Sequence, residues 1–298
     1  MSEITKSGMI AIVGRPNVGK STLTNALVGD KVAIVTDKPQ TTRCRITGVV
    51  NRGNCQFVLL DTPGLHKART RLGDYMVKVV RQSVSDVDAV VLVVEPVPRI
   101  GPPEQELLER IRALGCPAVL VINKIDTVKK ESLLAVIDCY RQQLEWQAVL
   151  PMSAKEGEGL EELLNILAPL LPEGPQLFPD GMTSDQPERQ VAAEILREKL
   201  LLCLDKEIPH GTAVEVTRWS ERDSGVIEMH ATIYCEKTSH KGIIIGKNGA
   251  MLKRISTLAR QDVEDFMGTK VYLETWVKVK ENWRDSAAQI RNFGFTDQ

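Results

Sequence analysis

Lys20 and Ser21 close the run GRPNVGKS at residues 14–21, the G-x-x-x-x-G-K-[ST] spacing of a phosphate-binding loop. Gly14 and Gly19 let backbone N–H groups crowd round phosphates, with Arg15, Pro16, Asn17 and Val18 forming the loop between them. Lys20 is placed to neutralise the β- and γ-phosphates, and the Ser21 hydroxyl to ligate Mg²⁺. A second run, DTPG at 61–64, offers Asp61 for the Mg²⁺ shell and the Gly64 N–H for the γ-phosphate, with Thr62 and Pro63 forming the turn. Alone it would read as an ordinary turn; its place after Ser21 gives it meaning. A third run, NKID at 123–126, suits guanine. Asp126 accepts from the N1–H and N2–H₂ edge, Asn123 braces the loops, the stem of Lys124 lies flat on the base, and Ile125 completes the run. Adenine has no matching donors and would leave the carboxylate desolvated and unpaired, a mismatch that discriminates strongly. In the fourth run, Ser153, Ala154 and Lys155, the Ala154 N–H is expected to meet guanine O6. Runs in this order predict GTP and GDP as ligands, Mg²⁺ as the metal and GTP hydrolysis as the reaction.

Closure on the metal needs one more hydroxyl. The stretch PQTTRCR at 39–45 offers Thr42, with Thr41 as runner-up, in a segment that would order only with GTP. Without the other runs this stretch would be a plain polar loop. Lys20, Thr42, Asp61 and Gly64 are thus expected to carry the reaction, with Ser21 and Thr42 on Mg²⁺ and Asp61 reaching it through water. The position from which a side chain would orient the attacking water is Leu65, followed by His66. An apolar side chain cannot orient water, which predicts slow intrinsic turnover that needs help. Asn17 suggests one kind of help, since its side-chain carbonyl can hold a monovalent cation such as K⁺ beside the phosphates. His66 reads as a surface residue of a mobile segment rather than as the base.

A different chemistry lies in IIIGKNGAMLKRI at 243–255. Gly246, Lys247, Asn248 and Gly249 form a GXXG loop of the kind that clamps about four nucleotides of RNA in KH domains. Ile245 leads into it from an apolar run, and Lys241, Lys253 and Arg254 add local positive charge for phosphate. A lone GXXG is usually just a turn; the Ile-rich entry and basic exit helix strengthen it. Further on, Lys278 and Lys280 face RNA or form a solvated strand face with equal weight, and Trp276 reads as core rather than as a stacking platform.

These residues need a scaffold that gathers loop ends. Apolar runs at 9–14, 45–50, 56–60, 89–94 and 118–122 read as strands, those at 89–94 and 118–122 rich in Val as for strands covered on both faces. Residues 51–54 signal a hairpin turn. Helical patterns cover 19–28, 104–114, 131–144 and 159–170. The fold class is a doubly wound, mostly parallel α/β P-loop GTPase sheet over residues 1–170. Residues 171–186, rich in Pro, Gly and Asp, read as an interdomain linker. Residues 187–298 follow the order α-β-β-α-α-β of a type II KH domain: a helix at 187–206, strands at 212–219 and 226–236, a Gly-rich loop at 242–249, a helix at 250–267 and a strand at 270–280.

The bulk composition sets outer bounds. A length of 298 residues suggests two domains, and 43% hydrophobic with 26% charged residues is ordinary for a soluble globular protein. The six cysteines are scattered without metal spacing and read as reduced thiols of a cytosolic protein. No apolar run approaches the length of a membrane span, and no secretory leader is visible. Peripheral membrane contact stays open.

The motifs above resemble those of the Era-like GTPases that carry a C-terminal KH domain. The resemblance rests on GRPNVGKS, PQTTR, DTPGL, NKID and SAK, and in the second half on EILREKLL at 194–201, EIPHG at 207–211, the GXXG segment and VYLETWVKVKENWR at 271–284. It implies a role in assembly and maturation of the small (30S) ribosomal subunit, with the KH domain near the 3′ end of 16S rRNA. It also implies a cytoplasmic protein with peripheral association to the inner membrane, and a monomer is expected. Two other classes compete. One is an RNA-binding chaperone in which GTP is a stabilising ligand with negligible turnover. The other is a membrane or cell-division GTPase that binds protein rather than RNA.

Overall fold

The computed structural model describes residues 3–295, so the first two and last three residues of the expected domains lie outside the described residues. The first compact unit gathers residues up to Ala33, Thr42–Arg69 and Gly73–Asp185; the second gathers Ile34–Thr41, Thr70–Leu72 and the chain from Gln186 onward.

The first unit is a six-stranded sheet in the order β2-β3-β1-β4-β5-β6. Its strands are β1 (Lys6–Val13), β2 (Ile46–Arg52), β3 (Cys55–Asp61), β4 (Ala89–Val94), β5 (Ala118–Ile122) and β6 (Ala148–Pro151). Only β2 runs antiparallel, joined to β3 by a turn in which Gly53 takes φ 60°. β4 and β5 are wholly buried, as continuous Val-rich runs require when helices cover both faces. The helices are α1 (Lys20–Val28), α2 (Arg71–Ser83), α3 (Pro102–Leu114), α4 (Leu133–Arg141) and α5 (Leu160–Leu167). α4 is shorter than expected because Lys130–Ser132 forms a separate single turn. Strand order reverses beside β1, and the crevice at the carboxyl ends of β1 and β4 is where such sheets bind ligands.

The expected linker is not a tether. Residues 172–184 run as an ordered strap on the first unit. The Gln56 amide, fully buried, donates to the Phe178 carbonyl at 2.9 Å and accepts from the Leu177 and Phe178 N–H groups at 2.7 and 2.8 Å. The Val49 N–H donates to the Thr183 carbonyl at 2.9 Å, and Gly174 N–H to Thr5 at 3.0 Å. One side chain thus acts as a substitute strand, a pairing with no sequence periodicity.

In the second unit α6 (Glu188–Cys203) and α8 (Ala250–Met267) pack on one face of a three-stranded sheet. Its strands β7 (Ala213–Glu221) and β8 (Ile227–Cys235) are antiparallel, and β8 pairs in parallel with β9 (Val271–Val279). The Gly-rich stretch expected as a loop over 242–249 is half helix: α7 (Thr238–Ile245) buries Ile244 and ends where the Gly246 N–H meets the Gly242 carbonyl at 2.9 Å. Trp276 departs from expectation: strand alternation puts it on the outer sheet face, 40% exposed and edge-on to His230. The buried tryptophan is Trp283, whose indole N–H donates to the Gly211 carbonyl at 2.9 Å. A short helix, α9 (Ala287–Asn292), follows it. This unit also holds residues 34–41: the Val35 N–H donates to Glu198 Oε1 at 3.0 Å, and Arg197 donates to the Thr41 carbonyl.

Candidate functional site

The phosphate loop leaves β1 and opens α1, so the first N–H groups of the helix point into the crevice. Glycine is required sterically at Gly14, Gly64 and also Gly19, which takes φ 96° and where a Cβ would strike the Asn123 amide. A Cβ on Gly14 would strike the Val93 carbonyl, and one on Gly64 would strike the backbone of Pro16. Lys20 is buried along the loop, its ammonium donating to the Gly14 and Arg15 carbonyls at 3.3 and 2.8 Å. Burial pushes Lys20 down to about 8, against the opposing pull of Asp61. Burial likewise pushes Asp61 up to about 6, with Lys20, Ser21 and the Thr62 N–H pulling the other way. Burial thus moves both values toward neutral pH, while Lys20 stays mostly protonated and Asp61 mostly ionised at pH 7.

Three oxygens converge where Mg²⁺ is expected. Ser21 Oγ lies 2.8 Å from Thr42 Oγ1 and donates to Asp61 Oδ2 at 2.5 Å. Asp61 Oδ1 is buried and has no hydrogen-bond partner. A hard, all-oxygen donor set with one orphaned carboxylate oxygen fits Mg²⁺. Between the two candidate threonines the geometry chooses Thr42: Thr41 Oγ1 is turned to Thr36 and the Lys38 carbonyl, each at 2.6 Å. Thr62 Oγ1 donates to the Ile12 carbonyl at 2.8 Å and fixes the second run to β1. Leu65 is buried in the apolar core and faces away from the phosphate crevice, consistent with the expected lack of a water-orienting side chain. The His66 ring is half-buried, its Nδ1 2.9 Å from the Gly64 carbonyl, rather than a free surface group.

At the guanine end Asn123 braces the loops as expected, donating to the Val18 carbonyl and accepting from the Ala154 N–H, both at 2.9 Å. The Ala154 N–H expected to meet guanine O6 is therefore already engaged, and would reach the base only as a shared donor. Ser153 Oγ donates to Asp126 Oδ1 at 2.6 Å, which orients the carboxylate. Lys124 adopts φ 64°, and its ammonium donates to the Asn17 carbonyl at 2.6 Å and to Glu95 at 2.7 Å. Ile125 packs against the core, and Lys155 is exposed beside Glu156. Asn17 is exposed at φ 66°. Arg15 keeps its place in the phosphate loop, with its guanidinium turned to Glu104 and Glu95. Glu95 and Glu104 lie outside every motif; the signal that could have found Glu95 is its place one residue beyond the switch-point strand β4.

In the second unit Gly246 takes φ 73°, and a Cβ there would sit 2.7 Å from Met251 Cβ. Gly249 takes φ 77° with open space around it, and Asn248 sits at φ 52° between them. The loop is held tight by its own backbone, the Gly249 N–H meeting the Gly246 carbonyl at 3.2 Å. Lys247, Lys253 and Arg254 are exposed around it, Lys241 is half-buried, and Ile245 packs against the core. The exposed apolar residue here is Ile243, 50% exposed, which the sequence reading did not single out. Lys280 lies over the Tyr234 and Phe293 rings at 5.4 and 5.8 Å.

Two family profiles match: 50S ribosome-binding GTPase over residues 9–124 and KH domain over residues 207–284. GTPase Era of Ruminiclostridium cellulolyticum is 47% identical over 290 residues, 97% of each chain. The chain belongs to the Era family of GTPases. Era of Clostridioides difficile is also 47% identical, over 98% of this chain and 99% of its own. Among solved structures, an Aquifex aeolicus Era variant bound to GDP·AlF₄⁻ superposes with a TM-score of 0.94 at 39% identity, covering 98% of this chain and 100% of that one. Era in complex with MgGDPNP and nucleotides 1506–1542 of 16S ribosomal RNA superposes equally well, with a TM-score of 0.94 at 38% identity. As an Era-family member the chain is a GTPase with a mostly parallel P-loop domain and a C-terminal KH domain.

Proposed function

We propose that this Era-family GTPase is a switch that binds 16S rRNA near its 3′ end through Gly246–Gly249 and assists assembly of the 30S subunit. The observation that carries the proposal is the pairing, in one chain, of the Ser21, Thr42 and Asp61 oxygen cluster with a GXXG loop rimmed by exposed cations. Lys20 and the N–H groups opening α1 hold the phosphates, and Asp126 reads the guanine edge. Ser21, Thr42 and Asp61 hold Mg²⁺, which supplies charge neutralisation for the γ-phosphate. Thr42 follows directly on the 34–41 segment, so γ-phosphate loss would release the hydroxyl at the end of that segment. Asn17 holding K⁺ beside the phosphates would supply charge that Leu65 cannot, and equal turnover in K⁺ and Na⁺ would sink that part. Peripheral membrane association is a further part of the proposal, compatible with the finding that no helix among the described residues is long and apolar enough to cross a membrane.

The test is the affinity for nucleotides 1506–1542 of 16S rRNA at one fixed salt, with a non-hydrolysable GTP analogue and with GDP. Tighter binding with the analogue, lost when Gly246 and Gly249 are changed to Asp, supports the switch. Equal affinity in both states favours a chaperone whose nucleotide is only a stabilising ligand.

A further inference from the structure

The phosphate loop and the guanine loop are joined by a carboxylate that belongs to no nucleotide motif. Glu95 stands just beyond β4, at the strand-order reversal. Its Oε1 is 2.7 Å from Lys124 Nζ and its Oε2 is 3.6 Å from Arg15 Nη2. Lys124 Nζ also donates to the Asn17 carbonyl at 2.6 Å, closing a ring from one loop to the other. Both loops turn left-handed where the ring holds them, with Asn17 at φ 66° and Lys124 at φ 64°. Asparagine tolerates this backbone, whereas a lysine keeps it where its surroundings fix it. The far side of the ring is anchored. Arg15 Nε pairs with Glu104, which is 1% exposed and whose Oε2 accepts the Gly101 N–H at 3.1 Å, at the start of α3.

We propose that Glu95 is a positioning residue for retention of the guanine nucleotide. It touches no part of the nucleotide. It holds Lys124 where its stem covers the base, and through Lys124 and Arg15 it fixes the turn of the phosphate loop. Both side chains it holds are about one-third exposed, Lys124 at 35% and Arg15 at 37%, and without Glu95 they would be left with the Asn17 carbonyl and Glu104 respectively. Ser21, Thr42 and Asp61 make no contact with this ring, and Lys20 meets it at the Arg15 backbone carbonyl, 2.8 Å away, rather than at the side chains that Glu95 holds. Removing Glu95 should therefore speed nucleotide release without changing the chemical step. The proposal rests on assigning GTP to this pocket.

Release of a fluorescent N-methylanthraniloyl GDP from the full chain would be timed for the wild type, Glu95→Gln and Glu95→Ala. Partly exposed, charge-assisted contacts of this kind predict release about five-fold faster for Glu95→Ala. Glu95→Gln keeps a neutral acceptor for Lys124 and should fall between. With turnover slow, KM tracks the dissociation constant, so KM should rise by a similar factor while kcat at saturating GTP holds. A purely structural role would instead lower kcat or the melting point of the nucleotide-free chain. Release within two-fold of wild type for Glu95→Ala, or a fall in kcat at constant KM, overturns the proposal. A control separates it from the pocket assignment. Asp126→Asn presents a donor where guanine also has one, so preference should pass to xanthine nucleotides, whose O2 accepts. If that preference does not move, the pocket assignment falls and Glu95 falls with it. If it moves and Glu95→Ala is silent, only the Glu95 proposal fails.

Discussion

The two glycines of the GXXG loop look alike in the sequence and differ in the structure. Gly246 is constrained twice, by φ 73° and by Met251 Cβ, 2.7 Å from where its own Cβ would be; Gly249 is constrained by φ 77° alone. Left-handed backbone such as that of Gly249, at ψ 7°, costs a non-glycine residue about 1–2 kcal/mol. Gly246, at ψ 177°, lies in a region that is essentially glycine-only and costs about 1–3 kcal/mol, and its contact adds to that. Gly246→Ala should thus destabilise the chain by about 2–3 kcal/mol and Gly249→Ala by about 1 kcal/mol, read by denaturant melts. Equal losses would mean that the backbone at Gly246 relaxes and that Met251 moves aside freely. The same contrast explains what was legible in the sequence. Glycine, lysine and carboxylate positions of the nucleotide motifs follow from spacing, because the ligand dictates them. The direction of the Arg15 side chain was not legible, because nothing in GRPNVGKS announces Glu104, a residue far along the chain that pairs with the guanidinium.

At the level of elements, β4 and β5 were legible to the residue, since a Val-rich run buried on both faces has few other fates. The strap over residues 172–184 was not, because its pairing rests on one glutamine amide and a few isolated backbone bonds and leaves no hydrophobic period. Gln56→Leu should leave the Leu177 and Phe178 N–H groups without their acceptor, at about 1–3 kcal/mol for each group left unmet. Faster proteolytic cutting within residues 172–184 is the expected signature; an unchanged cutting rate would show that the remaining backbone bonds suffice. A second element-level joint is Glu264, near the end of α8, which accepts the Val271 N–H at 3.1 Å and pairs with Arg260 at 2.7 Å and Lys270 at 3.3 Å. The Val271 N–H bond, against some burial, and these cations hold its carboxyl below the usual carboxylate range. A depressed folded value means the stabilisation is fully present above the unfolded carboxylate value, near pH 4.3, and is lost as pH falls through the folded one. Glu264→Gln should lower the melting temperature at pH 7, by an amount worth about 1 kcal/mol, and by clearly less at pH 4. The same loss at both pH values would assign the effect to shape rather than charge.

At the level of the whole molecule, the proposed switch is constrained by thermodynamics before any mechanism is specified. If a GTP analogue tightens RNA binding relative to GDP by some factor, RNA must shift the preference for analogue over GDP by that same factor. The nucleotide-sensing end of such a device is Thr42, which sits on Ser21, while the residue before it, Thr41, is bound by Arg197 of α6 within the KH-containing unit. Adjacent residues thus belong to different units. Couplings of this type are worth about ten-fold, and Arg197→Lys should reduce the factor, since lysine lacks the planar fork that reaches the Thr41 carbonyl. Competition between analogue and GDP, with and without nucleotides 1506–1542 of 16S rRNA, gives one side of the cycle, and RNA titration in the two nucleotide states gives the other. Matching factors that fall together in Arg197→Lys would place the coupling in the 34–42 segment. Matching factors that ignore the substitution would leave the switch intact and route it through a different contact, while factors of one on both sides would make the nucleotide a bystander to RNA binding.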